Sequence, residues 1–237
     1  MTPSTLQTSL SSDQLVEQFI HSCSHDLRSP LSSIEGLVNL AKYYPQSTEV
    51  HNCFSMIEDC TVTMDKLIRA LEEFMVINHY AVTPETINCD ILTDTIIEEY
   101  RKEIKGKSIV INKKTDTSKP MITDRLIFSR IFKHLFSNAI SFQDSRKRDK
   151  YVDIQIESEN NGIKLQIKDN GIGIPSIYHQ KIFRPFFKAS IQSMGLGMGL
   201  FLLNNLLNKI KGSISHQSEE HNGTTVTVLI PCLTPSK

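Results

Sequence analysis

The chain of 237 residues has no run of 18 apolar residues, and its start, MTPSTLQTSL, lacks both the charged segment and the apolar core of a leader. No membrane-crossing helix is expected in it, and the expected location is the cytoplasm. An excess of charge of either sign is missing too. Lys and Arg total 26 and Asp and Glu total 26, so charge gives no reason to expect nucleic acid or an anionic membrane as partner. The one dense basic run, Arg146-Lys147-Arg148, has acids on both sides and reads as a solvated loop. Cys23, Cys53, Cys60, Cys89 and Cys232 show no CxxC spacing, so free thiols in a reducing compartment are expected. Internal repeats and low-complexity stretches are absent. What is left is an ordinary globular composition, 39% hydrophobic and 22% charged, long enough for one or two domains with a substantial core.

Two long helical patterns come first. One apolar stripe runs Val16, Ile20, Cys23, Leu27, Ile34, Leu37 and Ala41, with Pro30 in the gap. A second runs Val50, Phe54, Ile57, Thr61, Met64, Ile68, Leu71 and Met75. Alternating steps of four and three mark the seam of packed helices. Ser11 and Gln14 form a capping-box pattern, and residues 44–48 make the connection. Each helix has about 30 residues and so is about 45 Å long. A lone pair of this size has too little core, whereas two copies make a four-helix bundle, so a homodimer is expected.

After Tyr80 the pattern changes. Residues 81–85 read as a linker, with a mixed region beyond it. Strands are expected near 85–89, 108–112 and 119–122, and helices near 91–104 and 125–142. Residues 151–157 and 163–168 alternate around Asn160-Asn161-Gly162, a hairpin signal. A helix near 176–182, a glycine loop, a helix near 199–210 and strands at 213–217 and 224–230 complete the chain. This order predicts a two-layer α/β sandwich with largely antiparallel strands and helices on one face.

His25 lies two positions from Cys23 and from Leu27, which turns it away from the seam toward solvent. Ser29 is one turn on, on the same face. Asp26 can hold one ring nitrogen protonated and leave the other as nucleophile. Pro30 removes a backbone hydrogen bond beside them and should kink the helix. By itself an exposed histidine next to an acid is more often plain surface. A zinc pair with His21, one turn back, is a second alternative, although no third ligand is evident.

The second constellation starts at Asp169-Asn170-Gly171-Ile172-Gly173-Ile174-Pro175. A carboxylate at a strand end can accept the exocyclic amine of a purine. Gly171 and Gly173 let the backbone pass close to the base. Gly195-Leu196-Gly197-Met198-Gly199 opens a helix whose free amides suit phosphate. Upstream, Asn138 on the helix Ile131–Ala139 offers an amide oxygen to a hard cation such as Mg²⁺.

The string His25-Asp26-Leu27-Arg28-Ser29-Pro30-Leu31 resembles the H box of sensor histidine kinases. The later motifs resemble the Bergerat-type ATP-binding domain of that family, in the superfamily of gyrase, MutL and the ninety-kilodalton chaperone. The resemblance covers about residues 13–232 and five boxes in the family's order. It implies that His25 is autophosphorylated, with Asp26 as base and Ser29 active in dephosphorylating the partner. Asn138 falls on the Mg²⁺-binding asparagine and Asp169 on the adenine-binding aspartate. Residues 183–188 match the F box, Gly195, Gly197 and Gly199 the second glycine box, and Gly223-Thr224-Thr225 the signature beside the adenine. Phe142 stands where an aromatic flanks the base. Four positions depart from the pattern. His134 replaces an earlier asparagine, Ser141 a basic residue, Leu196 a hydroxyl residue and Lys188 a γ-phosphate-binding arginine; Lys keeps the charge without the fork. The lid between Phe187 and Gly195 has seven residues.

The expectation is therefore an ATP- and Mg²⁺-dependent protein-histidine kinase core. A dimerisation and phosphoacceptor hairpin would occupy residues 11–80 and an ATP-binding domain residues 84–232. The partner would be the receiver domain of a response regulator. A non-catalytic docking or phosphorelay module, or a phosphatase using the same dimer, is the alternative, and a mechanical ATPase of the superfamily a third reading.

Overall fold

The computed structural model describes residues 12–43, 49–116, 121–159, 162–189 and 195–233, with side chains of the first helix from Asp26 onward. Two compact units divide the chain, one ending at His79 and the other running from Tyr80. Among the described residues no helix is long and apolar enough to cross a membrane.

The first unit is a pair of packed helices, α1 (Ser12–Tyr43) and α2 (Glu49–His79). α1 continues through Pro30, which is buried. Leu27, Ile34, Leu37 and Ala41 lie on the expected seam and are half-buried. The upper part of that stripe, the outward orientation of His25, the capping pair at Ser11 and the connection at 44–48 fall outside the described residues.

On α2 the seam differs from the expected one. Ile57, Met64 and Leu71 do face inward, but the other half of the row is Cys53, Cys60, Leu67 and Phe74. Phe54, Ile68 and Met75 are 56%, 47% and 48% exposed, and Thr61 is exposed as well. The reason is geometric: two apolar rows share α2, and a spacing of three and four fits either. A single partner helix covers one of them.

The second unit is the expected α/β sandwich. Its sheet has the order β2 (Ile109–Asp116), β4 (Lys150–Glu159), β5 (Gly162–Asp169), β7 (Gly223–Pro231) and β6 (Ser213–Glu219). The β2–β4 pair is parallel and the other pairs are antiparallel. Val152, Ile154 and Ile156, then Ile163, Leu165 and Ile167, then Val228 and Ile230 are buried on one face, at the alternation of strand side chains. The intervening residues are half-buried or, like Gln155 and Lys168, exposed, as in an antiparallel sheet with one wet side.

The helical layer is α3 (Cys89–Glu99), α4 (Arg101–Lys107), α5 (Arg125–Ser141) and α6 (Gly199–Lys209). α5 carries its core: Phe128, Ile131, Phe132, Phe136 and Ile140 are fully buried. The helix expected near 91–104 is broken at Tyr100, whose ring meets Phe136 edge-on at 5.6 Å. The helix expected near 176–182 is a short 3₁₀ turn, Ser176–Tyr178, followed by turns. A short pair, β1 (Glu85–Ile87) with β3 (Met121–Thr123), stands apart from the main sheet.

The segment read as a linker is tied down at Thr83. Asp124, fully buried, caps α5: its Oδ1 accepts from the Ile127 amide at 2.9 Å. Its Oδ2 accepts from the Thr83 amide at 2.7 Å and the Thr83 hydroxyl at 3.1 Å. Asp124→Ala leaves the buried Ile127 amide without its cap and releases the exposed Thr83, and unfolding in urea should show a loss of about 1–2 kcal/mol. Asp124→Asn keeps one acceptor oxygen and should lose less.

Candidate functional site

The last turn of α5 lies between two glycine loops. On one side, a Cβ at Gly199 would stand 3.8 Å from the Asn138 amide and 3.7 Å from Nδ1 of His134. On the other, the carbonyl of Phe142, the residue closing α5, accepts from the Ile172 amide at 2.9 Å, and a Cβ at Gly171 would run into it. The two residues are one turn apart, so a single helical turn holds both loops. None of the described hydrogen bonds uses the Asn138 amide. Its oxygen therefore suits a hard cation that completes its shell with phosphate oxygens. Among the described residues no group of three or more His, Cys, Asp or Glu could hold a metal.

Asp169 ends β5 on the buried face, opposite Thr224 of β7, and is 8% exposed. Oδ1 accepts from the Gly171 amide at 2.8 Å. Burial pushes the carboxyl up to about 6, against the pull of the Gly171 and Thr224 amides and the charge of Lys147. Gly173 takes a left-handed backbone, φ +67°, hard against the carbonyl of Glu219, where a side chain would have no room.

The second glycine loop enters α6 with no side-chain cap at Met198, and amides at a helix N-terminus suit an anion. Gly199 and the buried Met198 follow Gly197, at φ +74°. Phe183 packs on His216, and Phe187 on Tyr178 at 5.4 Å, which anchors the F-box segment to the sheet edge. Lys188 and Gly195 are exposed. Residues 190–194 of the lid lie outside the described residues. In the helical unit Asp26 is half-buried and Ser29 exposed; the His25 side chain is not among those described.

Several residues at the site carried no signal in the sequence. Ser218 of β6 links three pieces: its hydroxyl accepts from the Ile174 amide at 2.8 Å, donates to the Gly223 carbonyl at 3.0 Å and meets the Thr224 hydroxyl at 2.8 Å. The basic run is not simply solvated. Lys147 donates to the carbonyls of Asn170 and His221, and Arg146 is paired with the buried Asp144. Such bridges depend on the path of a loop, to which no periodicity applies.

Residues 15–78 match the His Kinase A (phospho-acceptor) domain, and residues 123–234 match the histidine kinase-, DNA gyrase B- and HSP90-like ATPases. The histidine protein kinase SaeS of Staphylococcus epidermidis is 30% identical over 226 residues, 90% of this chain and 62% of that protein. The methanogenesis regulatory histidine kinase FilI of Methanothrix harundinacea is 25% identical over 91% of this chain and 24% of its own length. Among solved structures, the histidine kinase AdeS of Acinetobacter baumannii superposes with a TM-score of 0.68 at 18% identity, covering 89% of this chain and 98% of that one. Histidine kinase ThkA, solved in complex with the response regulator protein TrrA, gives 0.66 at 19% identity over 90% and 61%. These likenesses show the same fold. The chain belongs to the sensor histidine kinases, as a catalytic core of that family. It spans between 24% and 62% of the length of these two curated relatives.

The Asp169 carboxyl has a consequence for stability. Its folded value, about 6, lies above the ordinary 3.8, so the folded protein binds more protons than the unfolded chain between about pH 4 and 6. Stability therefore falls as pH rises through that window, by at most about 3 kcal/mol. Asp169→Asn keeps an acceptor for Gly171 and removes the charge. Thermal unfolding of the nucleotide-free protein should show this variant stabilised at pH 7.5 and equal to wild type near pH 4.

Proposed function

We propose that the chain is an ATP-dependent protein-histidine kinase that autophosphorylates His25 and passes the phosphoryl group to an aspartate of a response regulator. The observation that carries this reading is the single turn of α5 set against both glycine loops, with the buried Asp169 carboxylate beside it. A nucleotide would place its adenine amine on Asp169, between Phe142, Gly171, Gly173 and Thr224. Its phosphates would meet His134, Lys188 and the amides of Gly195, Gly197 and Gly199. Asn138 is the residue for Mg²⁺, whose charge, when it is bound, offsets that of the phosphates. The likeness to ShkA, solved with AMPPNP at a TM-score of 0.63, supports a nucleotide in this fold.

In the reaction an imidazole nitrogen of His25 attacks the γ-phosphorus. The N–P bond forms, the bridging P–O bond breaks, and its electron pair leaves on ADP. Asp26 holds the proton of the other ring nitrogen. A receiver carboxylate then attacks the phosphorus, and the P–N bond returns its pair to His25. Residues 11–80 serve as the dimerisation and phosphoacceptor domain and 84–232 as the ATP-binding domain, in a cytoplasmic setting. The homodimer is supported by the exposed row Phe54, Ile68 and Met75 on α2, which a second copy would cover. His25→Gln should abolish acid-labile, alkali-stable labelling from γ-labelled ATP and leave nucleotide affinity intact. Full labelling of that variant, or loss confined to His21→Gln, would sink the assignment.

A phosphatase output of the same dimer has one observation in its favour. Ser29 is exposed one turn from His25, and its carbonyl accepts from the Ser33 hydroxyl at 3.1 Å. In this reading its own hydroxyl would orient water at an acyl phosphate. Ser29→Ala should slow receiver dephosphorylation about 10–100-fold, or 1.4–2.7 kcal/mol of barrier, with autophosphorylation within a few-fold of wild type. Decay of a phosphorylated receiver under ADP reads this; equal decay rates would remove Ser29 from the chemistry.

A further inference from the structure

We propose that Lys147 is a positioning residue of the nucleotide site: it fixes the turn after Asp169 in the shape that receives the base. The inference rests on the reading of Asp169–Gly173 as the adenine-facing turn. Lys147 sits in the loop between α5 and β4. Its ammonium donates to the carbonyl of Asn170 at 2.7 Å and to the carbonyl of His221 at 2.7 Å. Asn170 is the residue after Asp169, and His221 lies in the β6–β7 turn. The His221 amide in turn donates to the Ile172 carbonyl at 2.7 Å. One cation therefore joins three chain segments next to the carboxylate. Two of these bonds are charge-assisted, and such bonds exceed neutral ones in strength.

The surroundings prepare Lys147 for this. Asp144, buried, accepts from the Arg146 amide at 3.0 Å, Nε at 2.9 Å and Nη2 at 2.8 Å, and its carbonyl accepts from the Lys147 amide at 3.1 Å. Arg146 Nη2 also donates to His221 Nδ1 at 2.9 Å. Asn170 is held from its own side, its Oδ1 accepting from the Tyr151 amide at 2.9 Å and its Nδ2 donating to the Asp149 carbonyl at 2.6 Å. The turn is thus shaped before any ligand arrives, and shaping beforehand spares the ordering cost of binding. The charge of Lys147 also opposes the effect of burial on Asp169, favouring the ionised acceptor.

The test is calorimetric titration of the full chain with ADP between pH 5.5 and 8. Lys147→Met should bind ADP about 10-fold more weakly at pH 7.5. The pH below which binding fades should also move upward, a change that a purely structural defect would not make. Lys147→Arg, which keeps charge and donors, should recover most of the affinity. The imidazole of His221 touches Arg146 beside the same turn. His221→Asn, which tolerates the left-handed backbone there (φ 67°), should leave the midpoint where wild type has it. In nucleotide-free protein, hydrogen exchange at the His221 amide should quicken in Lys147→Met, a readout independent of binding. A Lys147→Met protein with wild-type affinity and midpoint would overturn the proposal and leave the adenine site standing. Wild type that binds no ADP, with faster exchange in the variant, would instead overturn the adenine reading and with it the role in binding. Should Lys147→Met not fold, Lys147→Gln removes the charge alone, and an unmoved midpoint there overturns the proposal equally.

Discussion

A carboxylate buried at the end of a central strand is the constraint around which the second unit is arranged. Asp169 is placed on the apolar face of β5, between Val152 of β4 and Thr224 of β7. Leaving it there is unfavourable, and the elevated carboxyl reports that penalty. The fold answers with backbone donors, the Gly171 and Thr224 amides, rather than with a full salt bridge. A bidentate arginine would have stabilised the charge more and would also have consumed the acceptor. A charge left partly unsatisfied is what a donor from outside can complete, so the destabilised residue is also the one proposed to receive the base.

The glycines follow from the same constraint. A turn that brings its amide back to its own carboxylate must pass close to α5, and the Phe142 carbonyl leaves no space for a side chain at Gly171. The β6–β7 turn then closes over it, with Gly223 in a left-handed conformation against the carbonyl of Asp169. α5 can serve both loops because its inner side is locked by stacked rings, Phe132 and Phe136 with centroids 5.5 Å apart. A helix that could slide would not keep Asn138 on one loop and Phe142 on the other.

Much of this was legible in the sequence because it rests on local rules. The alternation in β4 and β5 gave the wet and dry faces, and Asp169 with its glycines could be read as a strand-end turn. The break at Tyr100 was not legible, since the helical pattern on either side is continuous and the ring's partner, Phe136, is far along the chain. Lys147 was hidden for the opposite reason: its composition pointed to a solvated loop, while its two acceptors lie on segments brought near by the sheet. On α2 the periodicity was right and the row half wrong, because both rows obey it. Sequence spacing fixes that a face is apolar; which partner covers it is a tertiary matter.

That ambiguity has a physical meaning in the first unit. A helix with one apolar row needs one neighbour, whereas α2 has an inner row centred on Cys53, Cys60, Leu67 and Phe74 and an outer one containing Phe54, Ile68 and Met75. Among the described residues the large side chains of the outer row are left about half exposed. α1 repeats the situation, with Leu31 and Leu40 each near half exposed. Leaving large apolar groups in water on both helices costs about 25 cal/mol for each Å² that could have been buried. A second copy would present the same two rows, and the proposed four-helix bundle is the arrangement that would cover them. The proposed homodimer would give α1 and α2 the cover that holds their shape.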